Sequence, residues 1–212
     1  MQKSNKTLCL LLGIGALAFA PLVFAGGQPT YEEKLQEIYK KVYAKLGKHR
    51  KLCSRAKPVY HFIYNHLPQV VCTLWGTESS WRKDITVSST GDWCPLQVNK
   101  KTWEKFLKQI GIIKDWEKDI LTKEGCLKAA LATLLRNISV FCCSRVGKRL
   151  CEHYIKHKKY VYFLALHNSP FLLYQLHSRR TSQKLKSERR KYLLRILNYW
   201  NKCTYNLKEF KF

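Results

Sequence analysis

The chain has 212 residues, with 39 Lys plus Arg against 14 Asp plus Glu and a formal charge of +25. Apolar residues make up 46% and aromatics 13%, enough to build a buried core, so a globally disordered chain is excluded. Ten Gly and six Pro exclude collagen-like and low-complexity classes.

The chain opens with Lys3 and Lys6 before an apolar stretch over residues 8–20, followed by Val23-Phe24-Ala25. This is the pattern of a secretory signal peptide over residues 1–25, with cleavage expected after Ala25. An uncleaved anchor is the alternative reading, against which the apolar run is marginal for a bilayer span. Cleavage leaves 37 basic and 14 acidic residues, a charge of +23, and an exported protein, periplasmic or secreted.

Export changes how the cysteines read. Eight remain after cleavage: Cys53, Cys72, Cys94, Cys126, Cys142, Cys143, Cys151 and Cys203. An even count in an oxidising compartment predicts disulfides, whose pairing the sequence alone leaves open. The competing reading is a metal site built from Cys142 or Cys143, Cys151, His153 and His157.

Tyr31, Leu35, Ile38, Tyr39, Val42 and Leu46 recur at three and four residues, predicting an amphipathic helix that ends near Gly47. Apolar residues 59–64 form a second segment, and Pro68 opens a third with Val70, Val71, Leu74 and Trp75. Residues 85–94 predict a short hairpin. Leu127, Ala130, Leu131, Leu134, Leu135 and Ile138 mark another helix, with Thr122 and Glu124 at its start. Residues 154–166 read as one buried helix, and 188–201 as a last helix carrying Leu193, Ile196, Leu197 and Trp200 on one face. The expected fold is mainly α, with at most a short β-hairpin. Residues 26–176 form its main domain, and 177–212 are a basic helical extension packed on it.

Chemistry concentrates between Glu78 and Asn99. Glu78 follows Leu74 by one helical turn and stands near aromatic Trp75, where the charged form of a carboxyl is disfavoured and general-acid work is favoured. Asp92 follows the polar turn Ser88-Ser89-Thr90-Gly91. Two carboxyls in unlike surroundings are the usual equipment for cutting a glycosidic bond; a solvated helix-end Glu and a turn Asp are the plainer alternative.

Glu78-Ser79-Ser80-Trp81, followed by Asp92-Trp93-Cys94-Pro95-Leu96-Gln97-Val98-Asn99, resembles the catalytic signature of the lysozyme-like superfamily. Within it the block is most similar to soluble lytic transglycosylase domains, and it is also similar to c-type lysozymes. A looser match runs over most of residues 30–175. The resemblance implies a lysozyme-like α-rich fold with its hairpin beside an active-site cleft. It makes Glu78 the acid/base and Asp92 a second carboxylate, with Ser79 orienting the site and Gln97 hydrogen-bonding the sugar. His167-Asn168 stands where the family has a Tyr-Asn segment whose Tyr supports the Glu. The implied reaction is cleavage of the MurNAc–GlcNAc bond of peptidoglycan to a 1,6-anhydro product, without a cofactor or metal. Hydrolysis of the same bond and cofactor-free glycan binding by a non-catalytic descendant remain open. The chain departs from the family at Cys94, where Gly-Leu-Met-Gln would begin with Gly; this matters if the backbone there needs φ > 0.

The expected partners are peptidoglycan strands and other anionic envelope polymers, to which the basic surface is complementary. Lys and Arg crowd densest over residues 177–191. A secreted nucleic-acid- or membrane-active protein is the rival class; no RNA-recognition, helix-turn-helix or zinc-finger signature supports it.

Overall fold

In a computed structural model, residues 29–84 and 87–206 are described. The signal peptide and its cleavage site lie outside them, as do residues 85 and 86 of the expected hairpin.

Helix α1 (Tyr31–His49) starts at a capping box. Thr30 Oγ1 accepts from the Glu33 amide at 3.2 Å, and Glu33 Oε2 accepts from the Thr30 amide at 2.7 Å. It buries Leu35, Tyr39, Val42 and Leu46, the expected stripe, and runs past Gly47 before the chain extends at Arg50. Helices α2 (Lys57–Asn65) and α3 (Leu67–Ser79) each carry Pro in the first turn, where no N–H is needed, and only His66 separates them.

Strands β1 (Asp92–Trp93) and β2 (Val98–Asn99) pair antiparallel, Asp92 opposite Asn99, and Val87 bridges to Trp93. These two strands turn at residues 94–97, later than the sequence predicts, while the Val87–Trp93 bridge closes a tighter turn at 88–92 within the expected span. Helix α4 (Lys100–Gln109) follows from its Asn99 cap, and α5 (Trp116–Asp119) from Asp115. Neither was anticipated.

Helix α6 (Lys123–Cys143), capped by Thr122, is the core element. It is long and apolar enough to cross a membrane, yet most of it is buried inside the fold, which marks it as a core helix. The expected single helix over 154–166 is instead two pieces. Helix α7 (Lys148–Lys156) stops, Lys158 takes φ +52°, and Tyr160–His167 is a 3₁₀ segment. The cause lies in the sequence: residues 160–166 are apolar at successive positions, with no 3.6-residue stripe to hold an α-helix on one face.

Helix α8 (Leu172–His177) crosses the expected boundary at 176, and α9 (Gln183–Asn206) begins and ends five residues beyond the expected helix. Leu193 and Ile196 of α9 belong to the same buried cluster as α1, α3 and α6. The molecule is mainly α with a two-stranded hairpin, as expected.

All eight cysteines among the described residues pair: Cys53–Cys143, Cys72–Cys203, Cys94–Cys126 and Cys142–Cys151. This removes the metal alternative, because Cys142, Cys143 and Cys151 are oxidised. Among the described residues no cluster of three or more His, Cys, Asp or Glu could hold a metal ion. Four disulfides fit an oxidising, exported compartment.

Candidate active site

Helix α3 ends beneath α9, and that contact builds the site. Gly76 permits it: a Cβ there would lie 2.9 Å from the Trp81 ring and would also collide with Tyr199. Beyond Glu78 the chain reverses through Ser80 and Trp81, both left-handed at φ +52° and +62°. Trp81 folds back, donating Nε1–H to the Cys72 carbonyl at 3.1 Å and meeting the Tyr199 ring edge-on at 4.8 Å. Ser79 is buried; its hydroxyl sits 3.1 Å from the Trp75 carbonyl and 3.4 Å from that of Arg82. Its part is to hold the helix end, and Glu78 with it.

One face of α9 carries Tyr192, Ile196, Tyr199 and Cys203 at steps of four, three and four residues. Cys203 is bonded to Cys72, Tyr199 lies against Trp81, and Tyr192 donates its hydroxyl hydrogen to Glu78 Oε1. Sequence reasoning missed Tyr192. Its signal was the run of Tyr192, Tyr199 and Cys203 along one helical face.

Glu78 is partly open to solvent but closely surrounded by protein, and this loss of hydration pushes its pKa above the usual carboxyl value. The charges of His167 and Arg195 and the Tyr192 hydrogen bond oppose the rise; the nearby Asp92 adds to it. Tyr192 is held well above the ordinary phenol value by burial and by Glu78, so its hydroxyl stays a donor. The Arg195 guanidinium lies over the Tyr192 ring, 5.4 Å from its centroid.

Asp92 acts on Glu78 electrostatically from strand β1. Its Oδ1 accepts from Asn99 Nδ2 at 2.9 Å, and its Oδ2 accepts from Thr90 Oγ1 at 2.5 Å with Ser88 Oγ at 3.4 Å. The residues that make the turn thus fix the carboxylate.

His167 does not take the expected place beside Glu78 as hydrogen-bond donor; Tyr192 does. The buried His167 ring presents Nε2 to the Leu96 carbonyl at 2.9 Å, and since a carbonyl only accepts, that nitrogen carries the proton. His167 is a latch between the 3₁₀ segment and the hairpin loop. Asn168 is exposed and accepts from Arg189 Nη1 at 2.7 Å, while Arg189 Nε donates to Gln175 at 3.1 Å. That pair steadies α9 one turn before Tyr192. Gln97 donates Nε2–H to the Cys94 carbonyl at 2.9 Å and closes the hairpin loop.

The backbone at the Cys94 position is left-handed, φ +59°. Glycine would adopt it freely, whereas here Cys94 is held by its disulfide to Cys126 at the start of α6.

No protein-family model, curated protein or solved structure matches this chain. The site must be judged on its own chemistry. It offers one carboxyl whose pKa is raised by burial and which a phenol hydrogen-bonds, and a second carboxyl held by hydrogen bonds on the hairpin.

Proposed function

We propose that the chain is an exported, lysozyme-like peptidoglycan-cleaving enzyme of the lytic transglycosylase type, with Glu78 as general acid and then general base. The observation that carries this reading is the crowded Glu78 carboxyl, its pKa raised and its Oε1 hydrogen-bonded by Tyr192. Such a group keeps its proton at higher pH than an ordinary glutamic acid and has a donor ready for the carboxylate it becomes.

In the proposed reaction Glu78 gives its proton to the glycosidic oxygen as the C1–O bond of MurNAc breaks. Positive charge develops at C1 and the ring oxygen, and Asp92 stabilises it electrostatically. The Glu78 carboxylate then takes the proton of the C6 hydroxyl while O6 bonds to C1. The 1,6-anhydro ring closes and Glu78 is protonated again, so no water or cofactor is consumed. Tyr192 stabilises the carboxylate between the two transfers.

Hydrolysis is the second reading, favoured by one observation: Asp92 stands on the facing hairpin within electrostatic reach of Glu78. As nucleophile it would form a glycosyl ester that water opens. The three groups donating to or facing Asp92 share its charge and argue for a stabilising part.

Digestion of purified peptidoglycan by the oxidised protein, with mass spectrometry of the products, tests the reading. Anhydro-ended muropeptides, absent with Glu78→Gln, are expected. Reducing ends would assign hydrolysis, and no soluble product would overturn both in favour of a binding protein.

A further inference from the structure

A cavity of about 650 Å³ lies between the end of α1, α4, α6 and the chain after His167. Neither Glu78, Asp92, Tyr192 nor His167 lines it. Its size is that of a small-molecule site. Leu52, Phe106, Val140 and Phe171 give the wall apolar surface; Arg50, Lys51, Arg136 and His49 stand on it as well, and no Asp or Glu does.

Arg136 is the informative residue. It projects from the core helix α6 and is partly buried. Its guanidinium lies over the rings of Phe106 and Trp103, 4.7 and 5.2 Å from their centroids. Among the described residues it has no hydrogen-bond or ion-pair partner. Burial and the like charge of Arg50 both press its pKa below the usual value. A desolvated cation beside a second cation is costly, and proteins ordinarily pair it. The guanidinium lies within cation–π distance of both rings, and its N–H donors, taken by no protein acceptor among the described residues, are left for a planar, two-point acceptor.

We propose that this cavity is a second binding site, for a small organic anion whose phosphate or carboxylate head sits between Arg136 and Arg50 and whose apolar body lies on Phe106, Leu52 and Val140. The bound oxyanion supplies the counter-charge the fold omits, and the apolar wall selects against bare inorganic anions. The site is independent of the reaction assigned to Glu78.

Calorimetric titration of the whole, oxidised protein with phenyl phosphate, phenylacetate and neutral phenethyl alcohol tests it. Saturable one-to-one binding of at least one anionic probe is expected, with none of the alcohol; which anion binds tighter identifies the head group. Arg136→Met, which keeps the apolar stem over the rings, should weaken binding at least about tenfold, and Arg136→Lys, which keeps charge but loses the planar fork, about threefold. Arg50→Ala, on the exposed rim, should weaken it severalfold and remains informative if Arg136→Met fails to fold. Glu78→Gln should bind like the wild type. The proposal is overturned if neither anion binds saturably, if the alcohol binds as well, or if the folded Arg136 and Arg50 variants match the wild type.

Discussion

At Glu78, dehydration raises the pKa, while Tyr192, His167 and Arg195 hold the rise in check. Removing the phenol's hydrogen bond to the charged form therefore moves the value further up. Tyr192→Phe should shift the alkaline limb of the pH–rate profile, where the acid loses its proton, to higher pH. It should also slow turnover about tenfold, the worth of one hydrogen bond to a charged group. Stability carries the same signature. A raised folded pKa means the contribution of Glu78 is fully present below the ordinary value of 4.5 and is lost as pH climbs through the folded value. Glu78→Gln, uncharged throughout and still able to accept from Tyr192, should melt above the wild type at neutral pH. Below pH 4.5 the two melting curves should converge; parallel curves across the whole range would contradict the burial argument.

Helix α9 belongs to the site because a disulfide and a row of rings fasten it to α3. Cys72 and Cys203 are 131 residues apart, so their bond constrains the unfolded chain by an amount on the order of 4–5 kcal/mol. The double variant Cys72→Ser/Cys203→Ser should lose roughly that much in denaturant unfolding and lose activity as Tyr192 leaves Glu78. Activity intact in a folded double variant would exclude α9 from the site. The elements that could be read from the chain were those with local signals: α1 and α6 have periodic stripes and capping side chains, and both start where those signals lie. The 160–167 segment misled because a run of apolar residues has no period. Helix α9 was read short because it opens in a polar, basic stretch before Leu193. In the site, Glu78 and Asp92 stand in one short motif and were legible. Tyr192 is 114 residues from Glu78, and only tertiary packing joins them. The sequence also singles out His167 and Asn168, but its local pattern cannot show that His167 hydrogen-bonds the Leu96 carbonyl while acting on Glu78 by charge, or that Asn168 anchors Arg189.

Across the whole molecule, basic residues outnumber acidic ones by 25, and most cations have no acid available to pair with. Such a surface holds an anionic polymer through long-range forces that salt screens, the Debye length falling from about 10 Å at 0.1 M to about 3 Å at 1 M. Binding to peptidoglycan sacculi should weaken on the order of tenfold between 0.05 and 0.5 M salt, as read by co-sedimentation. In the proposed function, charge would bring the polymer to the surface, while the chemistry would rest on one carboxyl. The most direct measurement is therefore the rate of peptidoglycan solubilisation by wild-type, Glu78→Gln and Asp92→Asn proteins, each shown to be folded and oxidised. Activity is expected in the wild type, with a loss of at least about a hundredfold in Glu78→Gln and a slower but surviving reaction in Asp92→Asn. Solubilisation by Glu78→Gln at the wild-type rate would contradict this expectation.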